Sequence, residues 1–252
     1  MKKSLILLVL TCAICAAQGS PVSANGALER VITGAPFVAD SSTEFVQTAA
    51  DGSHVKHTST AAVARDSRGR TRYSQNLSVL LSGEPRSITI IRDPGAGVRY
   101  LIDSNEKVAR RETIPAAAAG GSSRAASAWT ARDAAIRIAR QSIVSLLSAH
   151  GAVAGHVVVT SLGERDIEGL AASGANARLE LPSGTIGNEK PLTFTSEAWF
   201  SKDLEIVVMS KVSDPVQGET IFQLKQIRRV EPSSDLFEIP SGYRVSGSDQ
   251  RK

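Results

Sequence analysis

Apolar and polar positions alternate with period two along most of this chain, in short runs separated by clusters of Gly, Pro, Asp, Asn and Ser. That pattern predicts strands joined by tight turns. Residues 44–48 and 54–64 flank Asp51-Gly52, a pair that favours a hairpin because both residues tolerate positive φ. The same grammar continues: 66–69 turns into 71–81, 82–85 into 87–91, 93–97 into 98–102, and 103–105 into 107–111. Turns this short allow only antiparallel pairing, since a parallel crossover needs about a dozen residues.

The period changes once. Residues 130–149 put Ala135, Ile138, Ala139, Ser142, Ile143, Leu146 and Leu147 on one stripe at helical spacing, with Thr130 as N-cap, Asp133 in the first turn and Gly151 as a stop. Extended runs resume at 156–160, 175–181, 192–200, 205–212 and 219–230, and 231–243 then lays Leu236, Phe237 and Ile239 onto structure already built. The expected fold class is mainly β (α+β). It is a strongly curved antiparallel sheet or half-barrel of about ten strands, because sheets this wide curl. One main helix, about 130–149, covers a face or mouth of the sheet.

The expected organisation is a signal peptide over 1–17, an extended lead-in over 18–40, a single antiparallel domain over 41–245 broken by a small-residue linker at 113–128, and a tail over 246–252. Lys2 and Lys3 form the positive start of the signal segment, and Cys15-Ala16-Ala17 offers small residues before a cut at Gln18. Its apolar stretch is shorter than the roughly 20 residues of a membrane span. This predicts export, to a periplasm or out of the cell. Both cysteines, Cys12 and Cys15, lie in this segment, and the residues before each fit a lipidation site poorly. The mature chain is then free of thiols, which excludes disulfides, thiolate metal sites and cysteine nucleophiles. Loss of Lys2 and Lys3 also leaves 27 basic against 25 acidic residues, a net charge of +2. With scattered arginines and 4% aromatic residues, nucleic acid is not an expected partner.

Candidate chemistry is sparse, and neither a catalytic residue nor a cofactor is expected. His54 and His57 are three apart on a strand and point to opposite faces, while His150 and His156 flank a loop with no carboxylate at ligand spacing, so no metal site is expected. No serine sits in a nucleophile elbow or opens a helix before a lysine. Gly95-Ala96-Gly97 enters a strand, unlike a phosphate loop. Glu164, Asp166 and Glu168 alternate around Arg165, which on a strand places three acids on one face as a solvated edge. The densest positive feature is the turn carrying Arg65, Arg68, Arg70 and Arg72: an anion or partner contact, or a hairpin tip kept soluble by its arginines.

An ordered series of motifs carries a resemblance. It comprises Ser161-Leu162-Gly163-Glu164-Arg165-Asp166, Leu181-Pro182-Ser183-Gly184-Thr185-Ile186-Gly187-Asn188, Ser196-Glu197-Ala198-Trp199-Phe200-Ser201, a Ser-Asp-Pro-x-x-Gly-Glu turn at 213–219, and a Glu-Pro-x-x-x-Leu-Phe-x-x-Pro-x-x-Tyr close at 231–243. In these the chain resembles a family of uncharacterised secreted proteins from soil bacteria of the acidobacterial type, which implies no known activity. More distantly it is similar to the lipoprotein-carrier (LolA-like) superfamily, whose half-barrel holds acyl chains against a helical lid. That likeness implies an exported, non-enzymatic binding protein with an apolar or lipid-like ligand on the concave face of the sheet. Candidate lining residues are Ile143, Leu147, Phe194, Trp199, Val207 and Met209, with ordinary core packing as the plainer reading of all six. The alternative is an envelope interaction or sensor module that contacts another protein and has no ligand cavity. The many Thr, Ser and Ala residues in the strands imply that any cavity is small.

Overall fold

Period-two runs become the strands of one sheet. The computed structural model describes residues 28–49, 51–77, 86–114, 129–153 and 155–247. The signal segment with Cys12 and Cys15, residues 18–27 of the lead-in and nearly all of the linker lie outside the described residues. A first meander comprises β1 (Phe37–Thr48), β2 (His54–Arg65), β3 (Thr71–Leu77), β4 (Arg86–Asp93), β5 (Val98–Asp103) and β6 (Val108–Thr113). Helix α1 (Ala131–Ala149) follows, then a second meander of β7 (Val158–Ile167), β8 (Leu170–Leu181), β9 (Leu192–Ser201), β10 (Ile206–Asp214) and β11 (Gly218–Arg228). A 3₁₀ turn (Ser234–Phe237) leads to β12 (Arg244–Gly247).

The strand order is β12-β6-β5-β4-β3-β2-β1-β11-β10-β9-β8-β7. The two meanders therefore meet at the antiparallel β1–β11 pair. Three features differ from the expectation, the first being that β7 runs on to Ile167 and β8 starts at Leu170, where the expected runs were 156–160 and 175–181. β1 begins at Phe37, inside the anticipated lead-in, because Phe37 and Ala39 are core residues paired to Arg65 and Val63 of β2. β12 runs parallel to β6, a pairing that the long return of the tail makes possible.

Each half of the sheet buries a different face. On the helix face, Ala175, Ala177 and Leu179 of β8 and Phe194 and Ala198 of β9 meet Ala135, Ala139, Ile143 and Leu147 of α1, all buried in one cluster. Small side chains on both surfaces let the helix sit close to the sheet, and interiors are filled rather than hollow. On the opposite face, here the tail face, Phe237 is buried with Ala64, Ile91, Ile102 and Ala109, and Leu236, Ile239 and Tyr243 pack around them. The three apolar anchors of the tail thus cover the first meander while α1 covers the second.

Both ends of α1 are secured. Thr130 and Asp133 form a reciprocal capping box at its N-terminus. At the other end, the Nε2 of His150 lies 2.7 Å from Oδ2 of Asp214, which arrives from the end of β10. The other oxygen of Asp214 accepts the Val216 and Gln217 amides at 2.8 and 3.1 Å. One buried carboxylate ties the helix end to the β10–β11 turn.

Curvature is visible at the tip of the β7–β8 hairpin. The Gln226 amide of β11 donates to Oε2 of Glu168 at 2.8 Å, although β9 and β10 lie between β8 and β11. On the tail face nearby, the Trp199 ring lies flat over Gly174, its cross-strand partner, where a Cβ would stand 2.6 Å from the ring.

Two outcomes follow from this packing. Gly174→Val should cost about 1–3 kcal/mol of stability by forcing Trp199 off β8, and an unshifted urea midpoint would contradict that account. Asp214→Ala should cost about 2 kcal/mol, because it strips partners from buried donors; circular dichroism during thermal melting should show the loss, and His150→Ala should lose less.

Candidate ligand-binding face

All six expected lining residues belong to or pack against one buried cluster, but they are divided between the two faces of the sheet. Ile143 and Leu147 are on α1 itself and share the buried cluster with Phe194 and Val207 of the sheet, so the helix occupies the space in front of those strands. Trp199, a member of that cluster, and Met209, packed against it, project from the other face, the tail face. There the Arg165 guanidinium lies 4.0 Å over the Trp199 ring, with its Nη2 2.8 Å from Met209 Sδ, and the indole N–H donates to Glu197. A bulge explains the separation. Val207 pairs with Phe200 and Met209 with Trp199, so the extra residue between them turns two positions that ordinary alternation would align onto opposite surfaces.

The basic turn is spent largely on internal bonds. Arg65 is 1% exposed; its Nε and Nη2 donate to the Ala35 carbonyl at 3.0 and 2.8 Å, Nη2 also donates to Leu204, and the guanidinium lies 5.0 Å from the Phe37 ring centre. Burial pulls its pKa down to about 10, which leaves it charged at neutral pH. Arg68 and Arg70 pair with buried Asp66 at 3.4 and 2.7 Å, and Arg70 stacks on Phe237 of the tail. Arg72 forms no such pair; it is half-buried on the tail face, and desolvation lowers its pKa. The turn thus braces the tail and the core, while Ser67 and Arg68 remain exposed at its tip.

Of the acidic stripe, Glu164 and Asp166 stay on β7, while Glu168 leaves it to take a positive φ of 55° in the β7–β8 turn and bond Gln226. Among the described residues no three His, Cys, Asp or Glu side chains gather as metal ligands. No helix among them is long and apolar enough to cross a membrane.

The helix face continues past α1 onto the first meander, and here the sheet presents a different surface. Cross-strand register aligns Val63 of β2, Tyr73 of β3, Ile90 of β4, Leu101 of β5 and Arg110 of β6 in one row. Val63 joins the core under α1; Tyr73, Ile90 and Leu101 are half-buried, and Arg110 is exposed. Ion pairs frame the row on both sides: Arg99 with Glu112, whose Nε contact is 2.9 Å, and Arg86 with Asp103. Arg92 stands beside Arg99, and its pKa is lowered, first by desolvation. The Tyr73 hydroxyl donates to Gln75 at 2.8 Å, and burial raises its pKa. An apolar strip ending in a cation suits an amphiphile with an anionic end. The strip is legible as alternation in 71–77, 86–93 and 98–103, but its alignment with Arg110 is a matter of register alone.

No family model matches this chain, and no curated protein matches it. The likeness to secreted proteins of the acidobacterial type therefore finds no support in these comparisons. Among solved structures, the chain is similar to an uncharacterized conserved protein from Thermus thermophilus, with TM-score 0.44, 10% identity, and coverage of 89% of this chain and 98% of that one. It is similar to MucB at TM-score 0.40 and 14% identity, covering 87% of this chain and 62% of MucB. A LolA superfamily protein from Nitrosomonas europaea matches at TM-score 0.32 and 8% identity, over 86% of this chain and 98% of its own.

Proposed function

We propose that this protein is an exported, non-enzymatic binding protein of the periplasm or extracellular space that holds an anionic amphiphile on the helix face of its first meander. The observation that carries this reading is the row Val63–Tyr73–Ile90–Leu101–Arg110, apolar along its length and cationic at its end. With neighbouring strands about 4.8 Å apart, the row spans roughly 19 Å, room for an extended acyl chain. The chain lies across the strands on Tyr73, Ile90 and Leu101, and its head meets Arg110. Arg92 adds positive potential alongside. The packed core of Ile143, Leu147, Phe194 and Val207 adjoins the inner end of this strip, where Val63 and Tyr73 join it. Binding on an open strip asks for no cofactor and no proton transfer.

A second reading rests on β7. It is an edge strand of the sheet, and Val158 and Leu162 on it are 54% and 41% exposed. Such an edge is suited to strand addition by an envelope protein.

Fluorescence titration with dansylated undecanoic acid separates the two. Wild-type protein should bind the probe with a blue shift. Leu101→Glu should weaken binding by about tenfold or more, equivalent to about 1.4 kcal/mol, and Arg110→Ala should weaken it and flatten its salt dependence. Val158→Glu should leave it unchanged. Probe binding that ignores Leu101→Glu and Arg110→Ala would overturn the amphiphile reading.

A further inference from the structure

The tail face carries a cleft of about 420 Å³ where the two meanders join. Its floor is made by Val38 of β1 and Ala64 of β2, which are register partners, and Leu236 of the tail forms a wall. The same row continues outward on both sides. Val38 pairs with Arg228 of β11, and Ala64 pairs with Arg72 of β3. Two arginines therefore stand as posts at either end of an apolar floor about three strand spacings long, roughly 14 Å between backbones, a distance that two side chains of this length reach across. Asp40 lies beside the floor, one pair further along β1.

A bulge brings Arg228 to this place. The register of β1 against β11 shifts between Val38 and Asp40, where Gln226 takes a φ of 52°. Unbroken alternation would oppose Ile227 to Val38; with the extra residue Arg228 stands there instead. The Gln226 amide in this bulge is the one held by Glu168. The charged groups of the cleft are also not used elsewhere in the fold. Among the described residues, the side chains of Arg72, Arg228 and Asp40 form no hydrogen bond or ion pair, and the opposing charge felt by Arg72 is that of Asp235 in the tail. Arg65, Arg68 and Arg70 nearby are all engaged, so the contrast is specific to this cleft.

We infer that the cleft binds a small hydroxylated organic anion, of the sugar-phosphate or hydroxy-dicarboxylate class. Its anionic groups bond Arg72 and Arg228, whose forks suit carboxylate and phosphate oxygens. Its carbon body lies on Val38 and Ala64. A hydroxyl donates to Asp40, which disfavours a bare inorganic anion. The volume lies in the range of small-molecule sites. This site is on the opposite face of β2 and β3 from the amphiphile strip and does not depend on it.

Isothermal titration of the purified protein with glucose 6-phosphate, malate and inorganic phosphate tests the inference and distinguishes the two ligand sources. One of the two hydroxylated anions should bind at least about tenfold tighter than inorganic phosphate. Arg228→Gln, at an exposed position that leaves the core intact, should weaken that binding several-fold, and the Arg72→Gln/Arg228→Gln pair by at least about tenfold. Asp40→Asn should reduce the preference over inorganic phosphate. Glu168→Ala should weaken binding without touching the cleft, by releasing the bulge that aims Arg228. Dansylated undecanoic acid should not be displaced. Absence of saturable binding by either organic anion, an Arg228→Gln titration identical to wild type, or displacement of the fatty-acid probe would overturn the assignment.

Discussion

Pairing between β1 and β11 is the contact on which the rest of the molecule depends. It joins strands from opposite ends of the chain and makes one sheet of two meanders that would otherwise each end in an unpaired edge. The cluster under α1 needs both sides of this seam, since Phe37, Ala39 and Val63 come from one and Phe222, Leu224 and the β8–β10 residues from the other. Arg65 reinforces it by donating from β2 to the carbonyl of Leu204 in the β9–β10 turn, and the cost of burying its charge is met by hydrogen bonds and the Phe37 ring. A distant contact of this kind forms late, because the loop entropy of closing it must be overcome before it is rewarded.

With the seam in place, coverage of the sheet divides by face. The helix fills the helix face of the second meander, and the tail fills the tail face of the first. The two proposed ligand surfaces lie one on either face: the apolar row ending at Arg110 on the first meander, and the cleft between Arg72 and Arg228 at the seam. Alternation guarantees that they are chemically independent. Tyr73 and Arg72 are neighbours in sequence, yet they project from opposite faces of β3.

Hydrogen-bonding demand accounts for most of the charged residues that first draw notice. Arg68 and Arg70 satisfy Asp66, Glu231 accepts from the Ser67 amide, and Arg70 stacks on Phe237, so the basic turn holds the tail in place. His150 finds in Asp214 a carboxylate that is distant in sequence and adjacent in space. Arg72 is the exception, the one arginine of that turn left facing a cleft.

Apart from the start of β1, the length of the β7–β8 hairpin and β12, the sequence by itself determined the strands, their antiparallel meanders, the helix and its cap, and the return of Leu236, Phe237 and Ile239 onto the sheet. Those features follow from period, turn chemistry and capping, all of which act over a few residues. Tertiary structure alone decided which face each side chain serves and which charges remain unpaired. Bulges at Val208 and Gln226 each reverse the alternation downstream of them, sending Met209 to the face opposite Val207 and putting Arg228 where Ile227 would have stood. A one-residue change of register is invisible to a period-two pattern, and it is what separates the expected lining residues and assembles the cleft.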